Sequence, residues 1–156
     1  MRPEFKKVEK LINSYAARTN LEDVIVNEMC AAAMAVRQLK QFPVTHVFAE
    51  DYLSDTGRRL YANFGFFGRD YYGEATNTLE ETNEEQREIF VVSLKQGISK
   101  AAITNYSDFD LVTPTVKSRI TLAFYLVNGE SFFLNASGKN CLELLNIHTS
   151  VLMPRL

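Results

Sequence analysis

The chain has 156 residues, 46% of them hydrophobic and 23% charged, with a net charge of −2 and a pI near 5.7. These are the proportions of a globular protein rather than a disordered one, and the length predicts a single domain over residues 1–156. A mildly acidic chain has no global electrostatic pull toward nucleic acid or anionic lipid, so binding a polyanion would need a local basic face.

The first element reads as a helix. Pro3 suits a first turn, and Phe5, Val8, Ile12 and Tyr15 recur at helical spacing. Lys6, Lys7 and Lys10 line the opposite side, and residues 2–18 hold five basic and two acidic side chains. Asn20 is expected to cap a second helix, with Glu22 and Asp23 in its first turn. From Val24 to Val36 nearly every residue is apolar, the pattern of a helix buried in a core or a subunit interface. Pro43 ends it, and Val44 to Ala49 reads as a short strand.

Asp55 is expected to cap a third helix that runs through Leu60 and Tyr61 to a stop at Gly65. That stop falls inside the most unusual window of the chain. Half of the residues from Tyr61 to Tyr72 are aromatic, interleaved with Gly65 and Gly68 and followed by Gly73. The expectation is that Phe64, Phe66 and Phe67 close the core, while Tyr71 and Tyr72 lie at the surface. Residues 70–88 then hold seven carboxylates and one arginine. Thr82-Asn-Glu-Glu85 has the form of a capping box and predicts a fourth helix ending before Gly97, with a strand at Ile89–Leu94 as the alternative.

Beyond Gly97 the pattern turns to β. Ala101–Thr104 and Phe109–Val112 are short strand candidates. Ile120–Val127 and Glu130–Ala136 read as a hairpin on a two-residue Asn128-Gly129 turn, which sets Phe124 opposite Phe133 and Tyr125 opposite Phe132. Both faces of that hairpin carry large apolar side chains. Ser137 or Asn140 opens a last helix through Leu145. The fold expected is α+β: N-terminal helices packed on a mainly antiparallel sheet of three to five strands, with a C-terminal β-hairpin and a short closing helix.

Chemistry is sparse. The two cysteines, Cys30 and Cys141, have no metal-ligand spacing, and the two histidines, His46 and His148, are about a hundred residues apart, so neither a metal nor a cofactor is expected. Ser137-Gly138-Lys139 departs from the phosphate-loop pattern at its first glycine and at Asn140, leaving at most an anion held by a glycine turn and a helix start. Asn63-Phe-Gly-Phe-Phe-Gly-Arg-Asp lacks the leading basic residue of the RNA-recognition consensus, and Tyr61–Phe66 lacks the pyrophosphate loop of an acetyltransferase. No family is assigned. No run of apolar residues is long enough to span a bilayer and no signal peptide pattern opens the chain, which predicts a cytoplasmic protein without membrane association.

The leading functional expectation is therefore a non-catalytic protein-binding or assembly protein, an inhibitor or accessory subunit, that associates with itself as a homo-oligomer or with a protein partner. Its expected binding residues are Arg58, Arg59, Arg69, Tyr71 and Tyr72, aromatic side chains rimmed by arginine. Ranked second is a small nucleotide or nucleic-acid binder using these arginines or Lys6, Lys7 and Lys10 on phosphates. Third is an enzyme in which His46 works as a general base oriented by Glu50 or Asp51.

Overall fold

The computed structural model describes residues 3–53, 56, 59–76, 88–107 and 118–156. In chain order the elements are α1 (Pro3–Thr19), α2 (Asp23–Leu39), β1 (Val44–Leu53), β2 (Arg59–Gly68), β3 (Tyr71–Thr76), β4 (Ile89–Ser93), β5 (Ile98–Ser107), β6 (Arg119–Leu126), β7 (Ser131–Ser137) and α3 (Asn140–Ile147). A π-helical turn (His148–Leu152) and a 3₁₀ turn (Met153–Arg155) close the chain. The strands form two antiparallel sheets, of order β1-β2-β3-β4 and β5-β6-β7. The class is α+β, with helices first and a short helix at the end, as expected.

The chain divides into two compact units. The first holds residues 1–49 and 62–93, the second residues 50–61 and 94–156; two of the three divisions fall within β1 and β2, and the third follows β4.

In the first unit α1 and α2 pack together, and α2 packs on β3 and β4. Phe5, Ile12 and Tyr15 of α1 are buried, as their spacing requires. The Tyr15 hydroxyl accepts from the Ala49 amide at 3.1 Å and donates to its carbonyl at 3.3 Å, which ties α1 to β1. Asn20 does not cap α2. Its φ of +56° makes it the left-handed residue that ends α1, and Leu21 N donates to Ala16 O at 3.0 Å in the six-to-one bond of a Schellman ending. Asparagine tolerates that conformation better than most side chains, so the same residue type served the preceding helix rather than the following one.

The expected third helix is absent, because residues 59–68 are strand β2; Asp55 lies outside the described residues. Gly65 is no helix stop. A Cβ there would meet the Tyr72 ring at 3.2 Å, so this glycine lets a neighbouring ring lie over the strand. The expected fourth helix also gives way, since Ile89–Ser93 is β4, paired with β3 from Tyr71–Ser93 to Ala75–Ile89. β-Branched residues won over the capping box, whose own residues lie outside those described.

In the second unit β6 is the central strand, and α3 packs on β6 and β7. Ala101–Thr104 falls within β5 as expected, while Phe109–Val112 lies outside the described residues. The hairpin forms, but one residue out of the expected register: Phe124 faces Phe132, and Ala123 faces Phe133. Leu126 N donates to Glu130 O at 2.8 Å, and Gly129 N, at φ +97°, donates to Leu126 O at 3.0 Å. The loop is thus three residues, Val127 to Gly129, with its glycine left-handed, rather than a two-residue turn. One residue of register exchanges the faces along one strand. Ile120, Leu122, Phe124, Leu134 and Ala136 are consequently buried together, while Phe133 is 52% exposed.

Candidate functional site

The aromatic window Tyr61–Tyr72 is mostly interior. Tyr61, Phe64, Phe66, Phe67 and Tyr72 are all buried. Tyr72, expected at the surface, is fully enclosed: its ring lies 4.6 Å from that of Phe67, and its hydroxyl donates to Glu74 Oε1 at 2.6 Å. Burial pushes the Glu74 carboxyl above its ordinary range, the Tyr72 hydrogen bond partly opposes this, and the charge of Glu88 adds to it. Tyr71 is half-buried, with Phe42 at 5.6 Å and the Lys40 ammonium 5.2 Å above its ring. The two neighbouring tyrosines point to opposite faces because they alternate on a strand.

The glycines explain how the rings fit. A Cβ at Gly73 would sit 2.5 Å from Val36 Cγ1, and one at Gly68 would sit 2.5 Å from Pro43 O and 2.8 Å from the Phe42 ring. Both glycines therefore let α2 and the segment after it come down onto the sheet.

Of the expected binding arginines, Arg59 and Arg69 belong to different units. Arg58 lies outside the described residues. Arg69 is exposed in the turn between β2 and β3 and belongs to the first unit. Arg59 belongs to the second, where its Nε donates to Asp51 Oδ2 at 2.6 Å and its guanidinium lies 5.1 Å from the Tyr61 ring.

Asp51 is the centre of a polar cluster that the sequence did not announce. It is fully buried, and four donors converge on it: Arg59 Nε, Ser137 N at 3.0 Å, the Ser137 hydroxyl, and Asn140 Nδ2 at 2.6 Å. Glu50 beside it accepts from Asn135 N at 2.8 Å and Asn135 Nδ2 at 3.1 Å. The glycine turn Ser137-Gly138-Lys139 thus does receive an anion, but the anion is the chain's own Asp51. A buried carboxylate with four donors is a fixed structural clasp. Glu50 and Asp51 direct these oxygens at β7 and α3. The His46 Nδ1 lies 2.9 Å from the Thr45 hydroxyl. Cys141 adjoins the cluster: burial first, then the negative charge of Asp51, push its thiol up to about 11.

The same two carboxylates reveal how β7 meets solvent. In an antiparallel pair the bonded positions alternate, and the 126–130 bond puts the even residues of β7 against β6. Ser131, Phe133, Asn135 and Ser137 therefore aim their amides outward. Glu50 and Asp51 cover the last two. The edge at Ser131 and Phe133 carries an exposed ring beside its backbone row. Tyr125 meets the Phe133 ring edge-on at 6.1 Å, Lys100 lies 5.4 Å above the Tyr125 ring, and Val127 is 59% exposed in the adjoining loop. This aromatic edge is an accessible apolar feature of the second unit. The sequence pointed to a two-faced hairpin but set Phe132, not Phe133, beside Tyr125. The three-residue reading of Asn128-Gly129 was the signal that would have corrected it.

No protein-family model, no curated protein and no solved structure matches this chain. Among the described residues, no helix is long and apolar enough to cross a membrane.

Proposed function

We propose that the chain is a non-catalytic binding and assembly protein that associates with a second copy of itself through the free edge of β7, with Phe133 as the anchor. The observation that carries this reading is an edge strand, Ser131–Ser137, without charge or proline and with a half-exposed phenylalanine. Monomeric proteins ordinarily protect such an edge with lysine, proline or a covering element, because its outward amides and carbonyls template another strand. Among the described residues, Glu50 and Asp51 protect Asn135 and Ser137 in this way. An uncharged strand meets its own copy without repulsion. Two-fold pairing about Phe133 would join the two sheets and set Phe133 and Tyr125 against their counterparts.

Light scattering coupled to size exclusion, repeated by sedimentation at rising concentration, tests this. A dimer is expected, and Phe133→Glu should return it to monomer with an unchanged circular dichroism spectrum, since half of that side chain is already wet. A strict monomer at about 100 μM, a concentration that populates even weak pairs, would end the proposal.

A further inference from the structure

The first unit holds a cavity of about 320 Å³ bounded by α1, α2, the segment 40–43 and β2. Its apolar wall includes Phe5 and Val8 from α1, Val36 from α2 and Phe66 from β2. Gly68 and Gly73 set that wall: with no Cβ to hold them off, Phe42 and Val36 seat against the sheet. Three cations, Lys7, Arg37 and Lys40, share the lining, and among the described residues no carboxylate does. Lys7 and Lys40 are exposed and Arg37 half-buried, so charge gathers where the cavity meets water while Phe5, Val36 and Phe66 are buried. An apolar chamber with exposed cations in its lining is complementary to a molecule with an apolar body and an anionic head.

From this geometry we infer that the first unit binds a small amphipathic organic anion, its hydrocarbon body against Phe66, Val36 and Val8 and its head among Lys7, Arg37 and Lys40. The volume bounds the ligand: at roughly 30 Å³ for each water- or methylene-sized group, it takes about ten such groups. An eight-carbon chain with a carboxylate or phosphate head meets that bound. A nucleotide does not, because it has about twice that number of non-hydrogen atoms. This inference stands apart from the assembly reading, which concerns β7 in the other unit.

Calorimetric titration of the full chain with sodium octanoate tests it, alongside octyl phosphate, 1-octanol and acetate. One equivalent of octanoate or octyl phosphate is expected to bind, and the tighter of the two identifies the head. Octanol, with the same body and no charge, should bind about tenfold more weakly, and acetate should not bind. The double variant Lys7→Gln/Lys40→Gln should weaken the anion about tenfold, the sum of two modest exposed charge contacts, and leave octanol unchanged. Val8→Trp should fill the chamber and abolish both. If that variant does not fold, amide shifts of the wild-type chain on adding octanoate replace it, and they should be confined to the residues around the cavity. Equal affinity for octanoate and octanol would overturn the inference. So would the absence of binding by either anion at about 1 mM, or shifts elsewhere.

Discussion

Gly73→Ala is the most direct probe of how α2 sits on β3. The added methyl would lie 2.5 Å from Val36 Cγ1, where ordinary contact begins near 3.4 Å, so one partner must give by nearly an ångström. Val36 cannot easily turn away: it is 2% exposed, and a β-branched side chain in a helix keeps essentially one rotamer. Overpacking of this kind costs about 1–3 kcal/mol. Against it stands about 0.4–1 kcal/mol from the reduced freedom of the unfolded chain, since Gly73 has an ordinary backbone conformation. The net expectation is a loss of about 1–2 kcal/mol. Val36→Ala alone should also destabilise, by about 1.6 kcal/mol for two buried methyl groups before any cavity term. Together the two changes should relieve each other, because the new methyl occupies the space vacated, giving a coupling of about 1–2 kcal/mol. Urea midpoints at constant slope, followed by circular dichroism, provide the reading. Additivity within about 0.5 kcal/mol, or a Gly73→Ala chain more stable than the parent, would refute the close approach. Gly129→Ala supplies the contrast. Its cost comes from a φ of +97° in open space, so Val36→Ala should leave it untouched.

Asp51→Asn keeps the shape of the clasp but turns a donor toward Arg59 and Ser137. A loss of about 2–4 kcal/mol in urea unfolding is expected, and an unchanged midpoint would show that the cluster holds nothing. A thiol reagent at pH 8 should modify the half-buried Cys30 first and reach Cys141 only with denaturant, since a pKa of about 11 leaves roughly one thiolate in a thousand; equal rates would contradict that burial. Burial lowers the His148 pKa below its ordinary 6.5, so the unfolded chain binds the proton more readily between the two values. Stability should therefore fall as pH drops through 6.5 toward the lowered value, and His148→Gln should flatten that slope; a slope that survives the substitution belongs to another group.

The helices and the C-terminal hairpin were legible because each carries its own period or its own turn. Ile12 and Tyr15, or the alternation of Leu122 and Phe124, report local geometry that needs no distant partner. The errors cluster where a residue answers to something far along the chain. Gly65 read as a helix stop, yet its lack of a side chain serves Tyr72, as that of Gly73 serves Val36. Asp51 was expected, if anything, to orient His46, and its donors at positions 137 and 140 cannot be inferred from its neighbours. Tyr71 and Tyr72 have the same local chemistry, and only the strand's placement decides that one touches Phe42 and Lys40 while the other is sealed in. The exposed edge at Phe133 was hidden by a single residue of hairpin register.

Neither compact unit is one continuous stretch of chain, and that interleaving governs the order in which the protein can be finished. Asp51 precedes Ser137 by 86 residues and Asn140 by 89, so on a growing chain its carboxylate stays hydrated until almost the whole protein exists. Closures of that length are slow, and they come late. A cut after Ser93 would strand residues 50–61 on a fragment that lacks their partners and leave the rest without Asp51. There is no point along this chain at which it could be divided into two pieces that each retain a complete unit.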